Sequence, residues 1–573
     1  MNFAAVFHRA QAPYSYARNK DELVIRLQTD PEVEKVFLHW GDPFEAGILG
    51  GAERWHGERV ELPQPLRLRH VCWWTAVIRP PYKRCRYHFE LHQNGETWFF
   101  GEDGFCTPEE QQKDGAPAAF YQPWMNPSDI PSPPQWVRGT VWYQIFPDRF
   151  RRAGLEPGET PWRTGPVTNG ERFGGNLAGI REKLGYLRDL GVNGLYLTPI
   201  FAAGSVHKYD TENYERVDPA FGTNEEFAAL VQEAHDAGIR VMVDAVFNHC
   251  GALFAPWRDV VEKGPSSPYW DWFLVNRWPL PEERRDTRDG RYYSFAFSDQ
   301  MPKLNTNHPE VIEYFCGLCE RWVREYGVDG IRFDVGNEVS HHFLREMRRR
   351  VLAVRSDVYL LGEIWHDASP WLEGDEYDAV MNYPFRQAVA GFFSHPQRTA
   401  RELGWSLYEC LGRYRSQTTE VLFNLLDSHD TDRLFTRAGS EDSFFQQLTL
   451  LLTLPGSPSL FYGTEIGLPG GHDPDCRRCM PWDELETPEH KERIRQVKCL
   501  IDLRRTLPDL KGGELDFIQT EPDSRFVWYR RGEVEVLLNA GDTDWKIAQG
   551  REALFSRGLH DGFLAPGGVC VRR

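Results

Sequence analysis

The sequence predicts a multidomain chain: a central (β/α)8 TIM barrel with a subdomain inserted after its third strand, an N-terminal β-sandwich and a C-terminal β-sandwich domain. Three observations predict it. Short β-type runs punctuated by Gly, Pro, Asn and Asp fill the first stretch, apolar strand runs alternating with amphipathic helix patterns fill the middle, and short β runs return after Pro508.

Taken in order, ELVIRLQ, KVFLHW, WTAVIRP, RYHFELH and TWFFG build the sandwich over residues 1–121. Residues 122–136, QPWMNPSDIPSPPQW, carry five prolines and read as a linker. Over residues 137–507 eight barrel strands are expected, at 141–146, 194–199, 240–246, 330–335, 358–363, 379–383, 421–426 and 459–463. Among the helices between them, 177–190, 224–237 and 309–326 each start near Asn or Pro and stop near Gly. The stretch 250–308, rich in Trp and Tyr, is too long for an ordinary loop and marks the inserted subdomain. FVWYRR, EVEVLLN and GGVCVRR make the C-terminal β domain of residues 508–573.

The 573 residues carry 66 basic against 84 acidic groups, a net charge of −18. That balance argues against nucleic acid and anionic membranes as partners, and the densest basic run, Arg345 to Arg350, fits a solvated helix face. The 20 Trp, 22 Tyr and 35 Phe favour a ligand with flat apolar faces, such as a sugar ring. No window of about 18 apolar residues suggests a membrane span. His8 and Arg9 interrupt the only N-terminal apolar run, so no secretory signal is read. Eleven scattered cysteines fit the reducing cytoplasm. The pairs Cys316/Cys319 and Cys476/Cys479 lack the compact spacing of a structural zinc site.

In such a barrel the reacting groups stand at the C-terminal strand ends. Four ends are polar: VMVDAVFNH (Asp244, Asn248, His249), GIRFDVGNEV (Arg332, Asp334), LLGEIWH (Glu363) and FNLLDSHD (His429, Asp430). One acid at a strand end can simply cap the next helix. Several carboxylates, two histidines and an arginine at one mouth point instead to chemistry, and glycoside hydrolysis is what paired carboxylates do without a metal. Arg332, two residues before Asp334 on the same strand face, is expected to hold Asp334 ionised. Glu363 needs the opposite treatment, with the neighbouring Asp334 and Asp430 charges favouring its protonated form.

With these ends in order, the chain resembles the α-amylase superfamily of retaining glycoside hydrolases. HKYDT at 207–211, MPKLN at 301–305, NEV after the fourth strand and GGHDPDCRRCMPWD near the eighth make it similar, more narrowly, to the neopullulanase, cyclomaltodextrinase and maltogenic amylase group. The resemblance implies Asp334 as nucleophile, Glu363 as acid/base and Asp430 as transition-state stabiliser. It also implies His249, His429 and Arg332 around the same sugar, a stacking face from Tyr209, Asp473 and Arg477 at the next sugar, and Trp365 on the leaving-group side. The implied substrates are α-glucans: cyclomaltodextrins, pullulan and maltooligosaccharides. An exo-acting α-glucosidase is disfavoured by the sandwich and MPKLN, a non-enzymatic glucan-binding relative is disfavoured by the full set of carboxylates, and transglycosylation stays open. Relatives often hold calcium after FPxRF with the acid of FGGDL; here the loop reads RRAGLEPGET and Asn176 replaces that acid, so no metal cofactor is expected. The sandwich, with Trp40, Phe44 and Trp55 in its expected loops, implies a homodimer.

Overall fold

The computed structural model describes residues 1–46, 55–114, 118–154, 161–280, 286–518 and 520–573. Two compact units divide the chain, one of Met1–Ser132 with Glu402–Thr419 and one of Pro133–Arg401 with Glu420–Arg573.

In the first unit, strands Ser15–Ala17, Leu23–Thr29, Cys72–Ile78 and Leu66–Arg67 form one antiparallel sheet. Glu58–Glu61, Lys35–Gly41, Cys85–Gln93, Glu96–Gly101 and Gly104–Cys106 form the other, with Phe120–Gln122 added to Cys85–Gln93. Alternation places Leu23, Ile25, Leu27, Val36, Leu38, Tyr87, Phe89 and Leu91 in the buried layer between them. Two findings shift the expected division. Gln122, read as linker, closes a sandwich strand by pairing with Cys85. The segment Glu402–Thr419, read as barrel, belongs to this unit: Gln417 Nε2 donates to the carbonyls of Ala17 and Arg18, and Arg26 Nη1 to that of Gly412.

The second unit holds eight parallel strands: Trp142–Ile145, Gly194–Leu197, Arg240–Ala245, Gly330–Phe333, Tyr359–Gly362, Ala379–Val380, Phe423–Leu425 and Ser457–Phe461. They pair in the order sixth, fifth, fourth, third, second, first, eighth, seventh. A parallel bridge between Met381 and Phe423 joins the two ends and closes the barrel. The period of two sorts its interior. Trp142, Tyr359 and Phe423 meet at ring distances of 5.9 and 6.0 Å and plug the N-terminal end, helped by Trp136 of the former linker. Two residues farther along the first strand stands Gln144, and at the same level Asp244 pairs in register with Arg332, so the C-terminal end is polar.

The helices follow their end signals. Asn224–Asp236 starts on a capping box between Thr223 and Glu226. Pro309–Arg321 continues into a π turn, Trp322–Tyr326, that stops at Gly327 with φ 73°. The helix expected at 177–190 is broken at Lys183 (ψ 3°) into Leu177–Glu182 and Leu184–Leu190. Of the stretch read as the inserted subdomain, the described residues include the helix Ala255–Lys263, and an isolated bridge from His249 to Lys303 ties the stretch back to the third strand's end.

The C-terminal strands make one connected sheet of six where a sandwich is expected. The cause is Phe563–Arg572, which pairs with Val534–Asn539, Trp545–Lys546 and Ala553–His560 and so hydrogen-bonds the two layers into one. No helix among the described residues is long and apolar enough to cross a membrane.

Candidate active site

Backbone bonds carry the barrel ladder past its strands to the carboxylates. Asp334 N donates to Ala245 O, Glu363 N to Phe333 O and Gly336 N to Glu363 O, each at 3.0 Å. Asp334 and Glu363 therefore stand on neighbouring, rigid strand ends, both buried.

Arg332, fully buried, is the hub. Its Nη1 donates to both oxygens of Asp244 (2.8 and 2.9 Å) and to Asp334 Oδ1 (2.9 Å), while Nη2 lies 2.8 Å from Glu363 Oε2 as an ion-pair contact outside hydrogen-bond alignment. One cation thus serves three carboxylates, an arrangement in which removing the guanidinium would leave buried charges unpaired. Arg332 pulls the Asp334 carboxyl down, as expected, but that pull does not prevail. Burial pushes the Asp334 carboxyl well up, Arg332 pulls it down, and Glu363, Asp244 and Asp430 push it up again, so the net direction is upward.

Glu363 accepts on both oxygens: Oε2 from Val335 N at 2.9 Å, and Oε1 from Trp365 Nε1 at 3.0 Å. Val335 reaches Glu363 from a left-handed backbone, φ 46°, a conformation β-branched residues avoid. Trp365 is 43% exposed and lies flat on Tyr383, ring centroids 3.5 Å apart.

A chain of donors orders the opposite wall. The Gln144 amide donates to His429 Nδ1 (2.6 Å), leaving the proton on Nε2, which faces Tyr209 Oη (2.6 Å) and Asp430 Oδ2 (3.0 Å). The Tyr209 and Tyr196 hydroxyls donate to Asp244 Oδ2 at 3.0 and 2.7 Å. The Tyr209 ring runs parallel to that of His429, 5.4 Å away. Although burial opposes the charge, His429, Arg477 and Arg332 hold the Asp430 carboxyl below the usual carboxylate range. Arg477 also sits 2.9 Å from Asp473 Oδ1 and donates from Nε to the His429 carbonyl. His249, pushed down to about 3 by burial, is neutral; its Nε2 donates to Tyr209 O at 3.1 Å and stands 4.0 Å from Asp334 Oδ2.

All ten residues singled out by sequence are thus linked into one constellation. The sequence reading gave no role to Asp244, Tyr196, Gln144 or Phe295, the last stacked on His249 at 4.8 Å. Asp244 ends a strand and was visible as such; Tyr196 and Gln144 needed the barrel register, and Phe295 comes from the segment inserted after the third strand.

Of the residues at the calcium position of relatives, Asn176 Oδ1 accepts from Gly179 N as a helix cap and its Nδ2 donates to Ala153 O. Asp148 is occupied by Arg149 and by the backbone amides of Phe173 and Gly174. The rest of the divergent loop, 155–160, lies outside the described residues. Cys316, Cys476 and Cys479 are buried thiols pushed up to about 12 by burial, and Cys476 donates to the His429 carbonyl.

The family model described as alpha amylase, catalytic domain, matches residues 144–498, and that described as alpha amylase, N-terminal ig-like domain, matches residues 1–126. A cyclomaltodextrinase of Geobacillus thermopakistaniensis (strain MAS1) is 43% identical over 554 residues, covering 94% of this chain and 91% of that protein. Neopullulanase 2 of Thermoactinomyces vulgaris is 39% identical over 564 residues, covering 94% and 93%. A solved structure titled cyclomaltodextrinase matches with a TM-score of 0.89 at 37% identity over 100% of both chains.

Proposed function

The chain belongs to the alpha-amylase family of glycoside hydrolases, and from that premise we propose that it cleaves α-1,4-glucosidic bonds of cyclomaltodextrins, pullulan and maltooligosaccharides with retention of configuration. The observation that carries this reading is the single buried guanidinium of Arg332 in contact with both Asp334 and Glu363 at adjacent strand ends. Asp334 attacks the anomeric carbon while Glu363 protonates the departing oxygen; Glu363 then takes a proton from the water, or from a sugar acceptor, that releases the glycosyl ester. Asp430, kept ionised beside His429 and Arg477, hydrogen-bonds the sugar hydroxyls as positive charge grows on the ring. Neutral His249 borders the same subsite, Tyr209 supplies its aromatic wall, and Asp473 with Arg477 meets the next sugar. Trp365 borders the leaving group. Proton NMR of the first product is expected to show the α-anomer; a β-anomer appearing first would overturn the double displacement.

Three narrower readings complete the proposal. The cyclic and branched substrates rest on relatives named cyclomaltodextrinase and neopullulanase. Activity without calcium at the family's position is supported by Asn176, whose two amide ends are both committed to backbone; turnover is expected to survive exhaustive chelation, and loss rescued by calcium alone would refute it. A cytoplasmic homodimer is supported by eleven cysteines outside any disulfide and by the aromatic end of the sandwich, where Phe44 and Tyr82 are 58% and 62% exposed around Arg84. Trp40 instead packs against the sandwich core, and Trp55 lies over Arg86. Light scattering is expected to give twice the chain mass, and a monomer at assay concentration would exclude the dimer.

A further inference from the structure

Glu363 has one oxygen to spare and one removable partner. Its Oε2 is taken by two groups that cannot move away, the Val335 amide at 2.9 Å and the buried Arg332 at 2.8 Å. Among the described residues its Oε1 has a single hydrogen-bond partner, the Trp365 indole at 3.0 Å. A glycosidic oxygen that receives a proton from Glu363 must therefore meet Oε1, where the indole N–H now stands. Trp365 can give way: it is 43% exposed, on the loop after the fifth strand, and held by stacking on Tyr383.

We propose that Trp365 is a positioning residue that makes the proton state of Glu363 follow occupancy of the leaving-group side of the cleft. This rests on the double displacement proposed above. An N–H aimed at a carboxyl oxygen stabilises the ionised form. When a substrate's glycosidic oxygen displaces the indole, that stabilisation is withdrawn, and the protonated carboxyl is favoured as the step that needs an acid begins. The Oε1 proton passes to the glycosidic oxygen, the bond from that oxygen to the anomeric carbon breaks, and the ester to Asp334 forms. Once the leaving sugar has gone, the indole returns to Oε1 and favours the carboxylate. Water then takes the indole's place and gives its proton to Oε1 while its oxygen bonds to the anomeric carbon and the ester to Asp334 breaks. The acid form is thus matched to an occupied cleft and the base form to an emptied one.

Other groups face Glu363: Arg332 and Asp334 from the fourth strand, Tyr196 from the second, and Tyr377 and Tyr383 on either side of the sixth. None of them is altered by Trp365→Phe, which retains a ring to stack on Tyr383 and removes the N–H together with the five-membered ring. The test compares pH profiles of wild type and this variant on two probes. For β-cyclomaltodextrin, whose cleavage needs the acid, the basic limb of kcat/KM is expected to move to higher pH by about 0.5 to 1 unit, a three- to tenfold change in proton affinity. For α-maltosyl fluoride, whose leaving group needs no proton, kcat reports release of the ester, and its acidic limb is expected to move upward by a similar amount. Limbs that stay in place while rates fall would mean that the indole only packs, and would overturn the proposal. That failure is distinct from failure of the underlying mechanism, which would appear as inversion of configuration in the wild type.

Discussion

Asp334→Asn is expected to lose roughly 10³- to 10⁶-fold in kcat/KM, the scale on which removing a covalent nucleophile acts, and at the same time to melt at a higher temperature than the wild type at neutral pH. The loss follows because an amide oxygen cannot form the glycosyl ester. The gain follows because burial, with the neighbouring Glu363, Asp244 and Asp430 adding to it, pushes the Asp334 carboxyl above its ordinary value despite Arg332. A carboxyl raised in the folded state favours folding while it remains protonated, and that contribution disappears as the pH climbs through the folded value. Asparagine does not titrate. The difference in melting temperature should therefore be smallest in acid, widen as the pH passes the unfolded carboxyl range, and level off above the folded value. Calorimetry at several pH values reads it directly. A variant less stable than wild type at neutral pH would mean that the Arg332 bond outweighs burial, and residual turnover within tenfold of wild type would move the nucleophile elsewhere.

Glu363→Ala is expected to lose about 10²- to 10⁴-fold on cyclomaltodextrin, the range for removing a general acid, yet less than about tenfold in the first step with α-maltosyl fluoride. Fluoride departs without a proton, so the contrast isolates proton donation from binding. Burst kinetics on the fluoride should then show the ester forming quickly and persisting, since no base remains to activate water. Equal losses on both substrates would assign Glu363 to binding or structure.

The strands and the polar strand ends were legible because barrel geometry writes them as short apolar runs finished by polar residues: Asp334 finishes one, Glu363 another, and His429 with Asp430 a third. What was hidden depended on register. Asp244 and Arg332 lie 88 positions apart, and only the pairing of the third with the fourth strand makes them neighbours and leaves Asp334 to share its cation. The net direction of the Asp334 shift was hidden as well: the sequence reveals the arginine and the other acids but not the depth of burial, which is the largest cause. Gln144 looked like an ordinary strand residue until the parallel sheet turned it toward His429. Helix and domain boundaries failed where tertiary contacts override local pattern, as with Gln417 bonding to the sandwich backbone and the long strand Phe563–Arg572 merging two layers.

Val335 and Asp334 are consecutive, and the fold would gain stability by changing either. The left-handed valine sits about 1–2 kcal/mol above an unstrained backbone, and glycine would release that strain while loosening the amide aimed at Glu363. A laboratory selection for survival of heating would thus be drawn to these two positions first, and its winners would have lost the nucleophile or loosened the amide that holds Glu363. Any hardening of this chain against heat has to be sought away from the fourth strand's end and screened by turnover as well as by melting.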